Sequence, residues 1–248
     1  MKRNLFIYIF ISAFICCKSE RNPTTQIKVI NALQDVEKVE VTVKCENREA
    51  VFYPQFGTDQ SFKVLPSGMA NIDVKADGKL ILHKEFGLGN AGKYTFLLEG
   101  VPGLSKKVNQ QTFSDKLHTV FSGAESSQPN SFLPRIILIR DVTKVKSGQS
   151  KLRFINAFAG AEPLTLTITD KNNEKINFTQ AYPAMGTFKP VSAGVYHLQL
   201  KFSNEQHAVI DENTNLKQGY FYTAVLTGDI IGNKRAKLLL LENKSENQ

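Results

Sequence analysis

Few residues in this chain have the type and spacing that chemistry needs. The cysteines are Cys16, Cys17 and Cys45, and the histidines are His83, His118, His197 and His207. No two of them fall at the spacing of a zinc site and no H-E-x-x-H string exists, so no metal ligand is expected. G-x-S-x-G, G-x-G-x-x-G and G-x-x-x-x-G-K-[ST] are also missing, and Gly87-Leu88-Gly89 lacks the further glycine that a phosphate loop would need. Asp59, Asp73 and Glu99 have no spacing that would pair them as acid and base. The expectation is a chain with no catalytic residue, no cofactor and no enzymatic activity. Cys45 sits between Val43-Lys44 and Glu46 with no His nearby, which reads as a buried or edge-strand structural thiol, with an intermolecular bridge as the alternative and a nucleophile disfavoured. Four aromatics beside Pro and Gly turns, Tyr53, Phe56, Tyr182 and Phe188, have the rings to stack on a ligand such as a sugar. Packing into a core is their competing use.

The two remaining thiols end a distinctive segment. Lys2 and Arg3 precede the apolar run Leu5 to Ile15, broken only by Ser12, and Cys16-Cys17 follow. A basic start and a short apolar stretch read as a secretory leader. As a helix, Leu5 to Cys16 would reach roughly 18 Å, short of the roughly 30 Å hydrocarbon core of a bilayer. The stretch Phe14-Ile15-Cys16-Cys17, followed by Lys18-Ser19-Glu20, resembles the cleavage site of bacterial lipoproteins. That resemblance implies a signal peptide over 1–16, lipidation of Cys17 and a tether over 17–25. Modification at Cys16, or an unlipidated secreted product, are the alternatives. Two or three acyl chains anchor a protein without any spanning helix.

The rest of the chain must fold, and its composition allows that. It has 248 residues, 42% of them hydrophobic and 22% charged, with a formal charge of +8, close to the globular average. The dominant pattern is alternation with period 2, clearest in Leu164, Leu166 and Ile168 against Thr165, Thr167 and Thr169. Val39, Val41 and Val43 alternate with Glu40, Thr42 and Lys44, and Tyr196, Leu198 and Leu200 with His197, Gln199 and Lys201. Turn clusters such as Pro66-Ser67-Gly68, Asp77-Gly78 and Ser192-Ala193-Gly194 separate the runs. An all-β chain of antiparallel sandwich strands is predicted, each with one dry and one wet face.

The chain also repeats itself. Ile27-Lys28-Val29-Ile30-Asn31-Ala32-Leu33 returns as Leu152-Arg153-Phe154-Ile155-Asn156-Ala157-Phe158, and Tyr53-Pro54 with Gly57-Thr58 returns as Tyr182-Pro183 with Gly186-Thr187. Gly92-Lys93-Tyr94-Thr95 to Gly100 is echoed from Gly219 through Tyr222-Thr223 to Gly228, and Ile136 to Ile139 by Leu238 to Leu241. Ordered agreement of this kind predicts two homologous β-sandwich domains, 26–143 and 150–244. The recurring Asn31 and Asn156, Gly68 and Gly194 read as turn-forming residues.

These motifs resemble the bacterial domain of unknown function numbered 4397. They are Asn31-Ala32, Phe56-Gly57, Val64-Leu65-Pro66-Ser67-Gly68 and Ala91-Gly92-Lys93-Tyr94-Thr95, with Asn156-Ala157, Gly186-Thr187, Val191-Ser192-Ala193-Gly194-Val195-Tyr196 and Tyr222-Thr223 in the second half. The resemblance implies two tandem immunoglobulin-like sandwiches in an exported lipoprotein, and it supplies no catalytic residue to carry over.

One difference separates the copies: a polar insertion over 101–135 in the first. Phe113, Leu117, Val120 and Phe121 recur at helical spacing after a Thr112/Asp115 capping box, which predicts a short amphipathic helix capping the first sandwich or touching a partner. Together these readings imply a membrane-anchored lipoprotein of a Gram-negative-type outer membrane, periplasmic or surface-exposed, acting as a structural or interaction module. A carbohydrate-binding or adhesive surface lipoprotein is the alternative. The expected partners are the membrane and an envelope protein or glycan. Aromatics on dry strand faces argue against nucleic acid.

Overall fold

A computed structural model describes residues 23–58, 60–102, 133–141, 149–159, 163–201, 209–229 and 236–245. The leader with Cys16 and Cys17, Asp59 and the predicted helix of the insertion lie outside these residues. Seventeen strands make up the described elements. In the first half they are β1 (Thr24–Leu33), β2 (Glu40–Cys45), β3 (Arg48–Phe52), β4 (Lys63–Pro66), β5 (Gly68–Ala76), β6 (Lys79–Leu88), β7 (Lys93–Gly100) and β8 (Arg135–Arg140). The second half holds β9 (Gln149–Ala159), β10 (Leu164–Asp170), β11 (Lys175–Gln180), β12 (Ala184–Met185), β13 (Lys189–Ser192), β14 (Gly194–Lys201), β15 (Ile210–Leu216), β16 (Tyr220–Asp229) and β17 (Lys237–Lys244).

Each half is a sandwich of two sheets, and the halves share one topology. The first pairs its strands in the orders β4-β1-β7-β8 and β3-β2-β5-β6. The second repeats this as β12-β9-β16-β17, with β13 also on β9, and β11-β10-β14-β15. Strand pairs among the described residues are antiparallel, except β1 with β7 and β9 with β16. Hairpin chemistry accounts for the tight connections. Asp77 and Gly78, at φ 48° and 74°, join the paired residues Ala76 and Lys79, the doubly left-handed turn that Asp-Gly accommodates best.

The sheets stack in four layers with three cores. Val41, Ile72, Phe96 and Leu98 belong to the core between the first half's two sheets, and Phe154, Leu166, Leu198 and Tyr222 to the matching core of the second. A third lies between the halves, where Ile30, Ala32, Leu97 and Ile139 pack with Ile155, Ala157, Val225, Leu239 and Leu241. At roughly 1.5 to 3 kcal/mol for each large aliphatic side chain buried, this seam contributes as much per residue as an ordinary core.

The seam corrects one expectation. Alternating dry and wet faces hold on outer strands such as β10, but β1 is buried at every position from Ile27 to Leu33 and β7 from Tyr94 to Gly100. Odd residues of β1 face the first half's own core and even ones face the other half. Nothing within a single sandwich would dry the second face; only a second inner sheet does.

Strand ends are fastened alike in both copies. The Asn31 side chain accepts from Leu33 N–H at 3.0 Å and donates to the Val36 carbonyl at 3.1 Å, while Asn156 accepts from Phe158 N–H at 3.1 Å and donates to the Gln180 carbonyl at 3.2 Å. Tyr94 and Tyr222 each accept, on the phenol oxygen, the N–H of the fifth residue upstream, Gly89 at 2.9 Å and Lys217 at 2.7 Å. A tyrosine that ties a strand's start to the preceding corner is a recurrent sandwich device.

Candidate functional site

The four aromatics singled out above do not meet in one place. Alternation along β3 sends Phe52 into the core, and Tyr53, the next residue, emerges on the surface with 51% of its area exposed. Its ring lines a groove of about 280 Å³ together with Lys38, Val39, Glu40, Lys75, Asp77 and Gly78. Lys38 Nζ stands 5.4 Å from the ring centroid, and Lys75 Nζ is bonded to Glu40 Oε1 at 3.1 Å.

The other three rings lie under cations. Phe56, half-buried, bridges to Asn31 and lies beneath Lys237 Nζ at 5.9 Å. Tyr182 is buried beneath the Arg135 guanidinium at 5.3 Å. Burial, reinforced by the Glu99 charge, pushes its phenol well above the ordinary range. Phe188, half-buried, has the Arg153 guanidinium 4.3 Å above it and Phe221 edge-on at 5.5 Å. Tyr182 is thus buried, Phe56 and Phe188 are half-buried, and Tyr53 is left facing solvent.

The groups that sequence reasoning missed cluster in the seam. Asp141 is buried and accepts from Thr95 Oγ1 at 2.8 Å and from Asn243 Nδ2 at 3.1 Å, and Lys28 Nζ donates to Asn243 Oδ1 at 3.0 Å. Burial raises the Asp141 carboxyl, opposed by Thr95 and by the charges of Lys28, Arg153 and Lys93. Arg153, also buried, donates to Thr223 Oγ1 at 3.0 Å, and desolvation lowers its guanidinium to about 10. At the other end Glu99 is fully buried and paired with Arg135, yet desolvation outweighs that partner and its carboxyl is raised. Gln34 Nε2 donates across the seam to the Gly228 carbonyl, and Thr227 Oγ1 to the Ala32 carbonyl at 3.4 Å. The signal was a charged residue inside an apolar run, as in Leu97-Leu98-Glu99, which a one-faced strand does not need.

Among the described residues, no three His, Cys, Asp or Glu side chains group as metal ligands. His83 pairs with Asp73 at 2.7 Å and His197 with Asp211 at 2.5 Å, on exposed faces and without a hydroxyl or thiol partner. Cys45 is a buried free thiol that burial, and secondarily Glu46, pushes upward, away from the thiolate a nucleophile requires. A further groove of about 540 Å³ follows the outer edge of β17, lined by Leu238 to Glu242 with Gly57 and Thr58. No described helix is long and apolar enough to cross a membrane.

No protein-family model matches the chain, and no curated protein matches it in sequence. Among solved structures it is similar to the Bacillus anthracis TIE protein, with 10% identity over 84% of this chain and 34% of that one and a TM-score of 0.25. It is also similar to a candidate cell adhesion protein from Bacteroides ovatus, with 12% identity over 91% of this chain and 98% of that one and a TM-score of 0.30. The tip fimbrial protein Mfa3 from Porphyromonas gingivalis has 7% identity, over 89% of this chain and 99% of that one, with a TM-score of 0.25. The chain spans about a third of the first of these proteins. Likeness at this level identifies neither a family nor a ligand.

Proposed function

We propose that this chain is a non-catalytic interaction module of the cell envelope, held by an acylated Cys17 at the outer membrane of a Gram-negative-type bacterium. Its two halves are read as copies of the domain numbered 4397. The observation that carries the proposal is the seam. Ile30, Leu97 and Ile139 against Ile155, Val225 and Leu239 make two sandwiches one stiff body, suited to presenting its outer sheets and loops to a partner. The leader motivates the anchor, because two acyl chains hold a protein at a bilayer that no described helix crosses.

The test is detergent phase separation of the native product with palmitate labelling. The wild-type chain is expected in the detergent phase and labelled, and Cys17→Ser in the aqueous phase and unlabelled. An aqueous, unlabelled wild-type protein would remove the anchor. A second reading, a carbohydrate-binding or adhesive surface lipoprotein, is favoured by Tyr53, whose half-exposed ring sits in a groove among charged side chains.

A further inference from the structure

The groove at Tyr53 has the chemistry of a saccharide subsite, and we infer that it binds a pyranose that bears a carboxylate, one residue of an acidic polysaccharide. This rests on the glycan reading and names the sugar class.

Three demands define the occupant. The open part of the Tyr53 ring calls for a ligand with an apolar face, and the C–H face of a pyranose is one. The carboxylates of Asp77 and Glu40 at the groove wall accept hydrogen bonds, which ring hydroxyls donate. Lys38 calls for an anion: among the described residues its ammonium meets the Tyr53 ring and no carboxylate, whereas Lys75 is already held by Glu40. A neutral sugar would leave that demand unmet, and an aliphatic peptide side chain would offer no donor to Asp77.

Size and field agree. About 280 Å³ lies below the roughly 300–1,000 Å³ of pockets that enclose drug-sized ligands, which suits one sugar residue of a chain that continues past both rims. Without Lys2 and Arg3 of the leader the formal charge of +8 becomes +6, an excess that still raises the local concentration of a polyanion. The platform is also firm. Asp77 and Gly78 are locked in the β5–β6 turn, and Tyr53 follows directly on Phe52, which is anchored in the core.

The test is titration calorimetry of the intact mature protein in detergent with three probes: oligogalacturonate, oligoguluronate and hyaluronate oligomers. A carboxyl-reduced form of whichever binds serves as the neutral control. Binding of at least one acidic oligomer is expected. Tyr53→Ala should weaken it about tenfold or more and Lys38→Gln about threefold to tenfold, an effect absent with the reduced oligomer. Tyr53→Phe keeps the platform and most of the affinity. Lys44→Gln, which removes a like charge from the outer face of β2, should change affinity less than twofold.

Failure of all three oligomers to bind, or binding that survives Tyr53→Ala, overturns the inference. Equal binding of the carboxyl-reduced oligomer, unaffected by Lys38→Gln, overturns the acidic assignment and leaves a neutral-glycan site. The membrane anchor is tested separately by the phase separation above.

Discussion

Arg135 opens β8 in the first sandwich and lies over the ring of Tyr182 in the second, 5.3 Å from its centroid. Lys237, which opens the corresponding strand β17, lies over Phe56 of the first at 5.9 Å. Phe56-Gly57 and Tyr182 to Gly186 occupy matching segments of the repeat, so each half caps an aromatic of the other with the first residue of its last strand. This reciprocity belongs to the duplicated body and to neither copy alone.

Removing Arg135 should be costly. Arg135→Ala leaves the fully buried Glu99 carboxylate without its partner, and loss of one member of such a pair typically costs about 3–5 kcal/mol. Urea denaturation should show a loss at or below the low end of that range, because Arg135 is partly exposed. Glu99→Leu combined with Arg135→Met should restore most of the stability. A double variant as weak as Arg135→Ala would show that the pair itself is the source of stability.

The pH dependence has a definite sign. Burial holds the Glu99 carboxyl above its ordinary range, and Asp141 is displaced in the same direction. The native state therefore keeps protons that the unfolded chain has released. Their contribution is complete below the unfolded carboxylate range, around pH 4, and is lost as pH rises through the native values. Melting curves from pH 4 upward should show this decline, and Glu99→Gln should flatten part of it. An unchanged slope in that variant would assign the dependence to other groups.

The shared seam predicts a single transition. Ile155 and Val225 are fully buried against the first half, so calorimetry of the wild-type chain should show both halves melting together. Val225→Asp buries a charge without a partner in an apolar seam and should split the endotherm or lower both halves. Two separate transitions in the wild-type chain would mean that the seam does not couple the sandwiches.

The matching asparagines allow an internal comparison. Asn31→Ala and Asn156→Ala each remove the acceptor of a buried backbone N–H and the donor to a part-buried carbonyl, a loss of about 1–3 kcal/mol. The two variants should be destabilised to similar extents in equilibrium unfolding. A neutral effect at both positions would leave the repeat's most regular polar contact without energetic weight.

Much of this body is legible before folding is considered. Period-2 alternation in Leu164 to Thr169 and the Asp77-Gly78 turn are local properties, set by side-chain polarity and backbone sterics within a few residues, and the structure places a strand and a hairpin there. Gly68 and Gly194 do have positive φ, 137° and 151°. The repeat is equally local, since it compares the chain only with itself. The fate of the aromatics was not legible: Tyr53 and Tyr182 occupy equivalent Tyr-Pro positions, yet one lies open and the other is buried under Arg135.

The sequence by itself determined the strands, their turns and the presence of two similar units, because each depends on neighbours along the chain. Only the tertiary structure decided that β1, β7, β9 and β16 are dry on both faces and that Glu99, Asp141 and Arg153 are buried between them. An apolar run such as Phe96 to Leu98 breaks the period-2 alternation without stating that both of its faces are dry. It does not state what excludes the water, since the covering sheet is built from the other half of the chain.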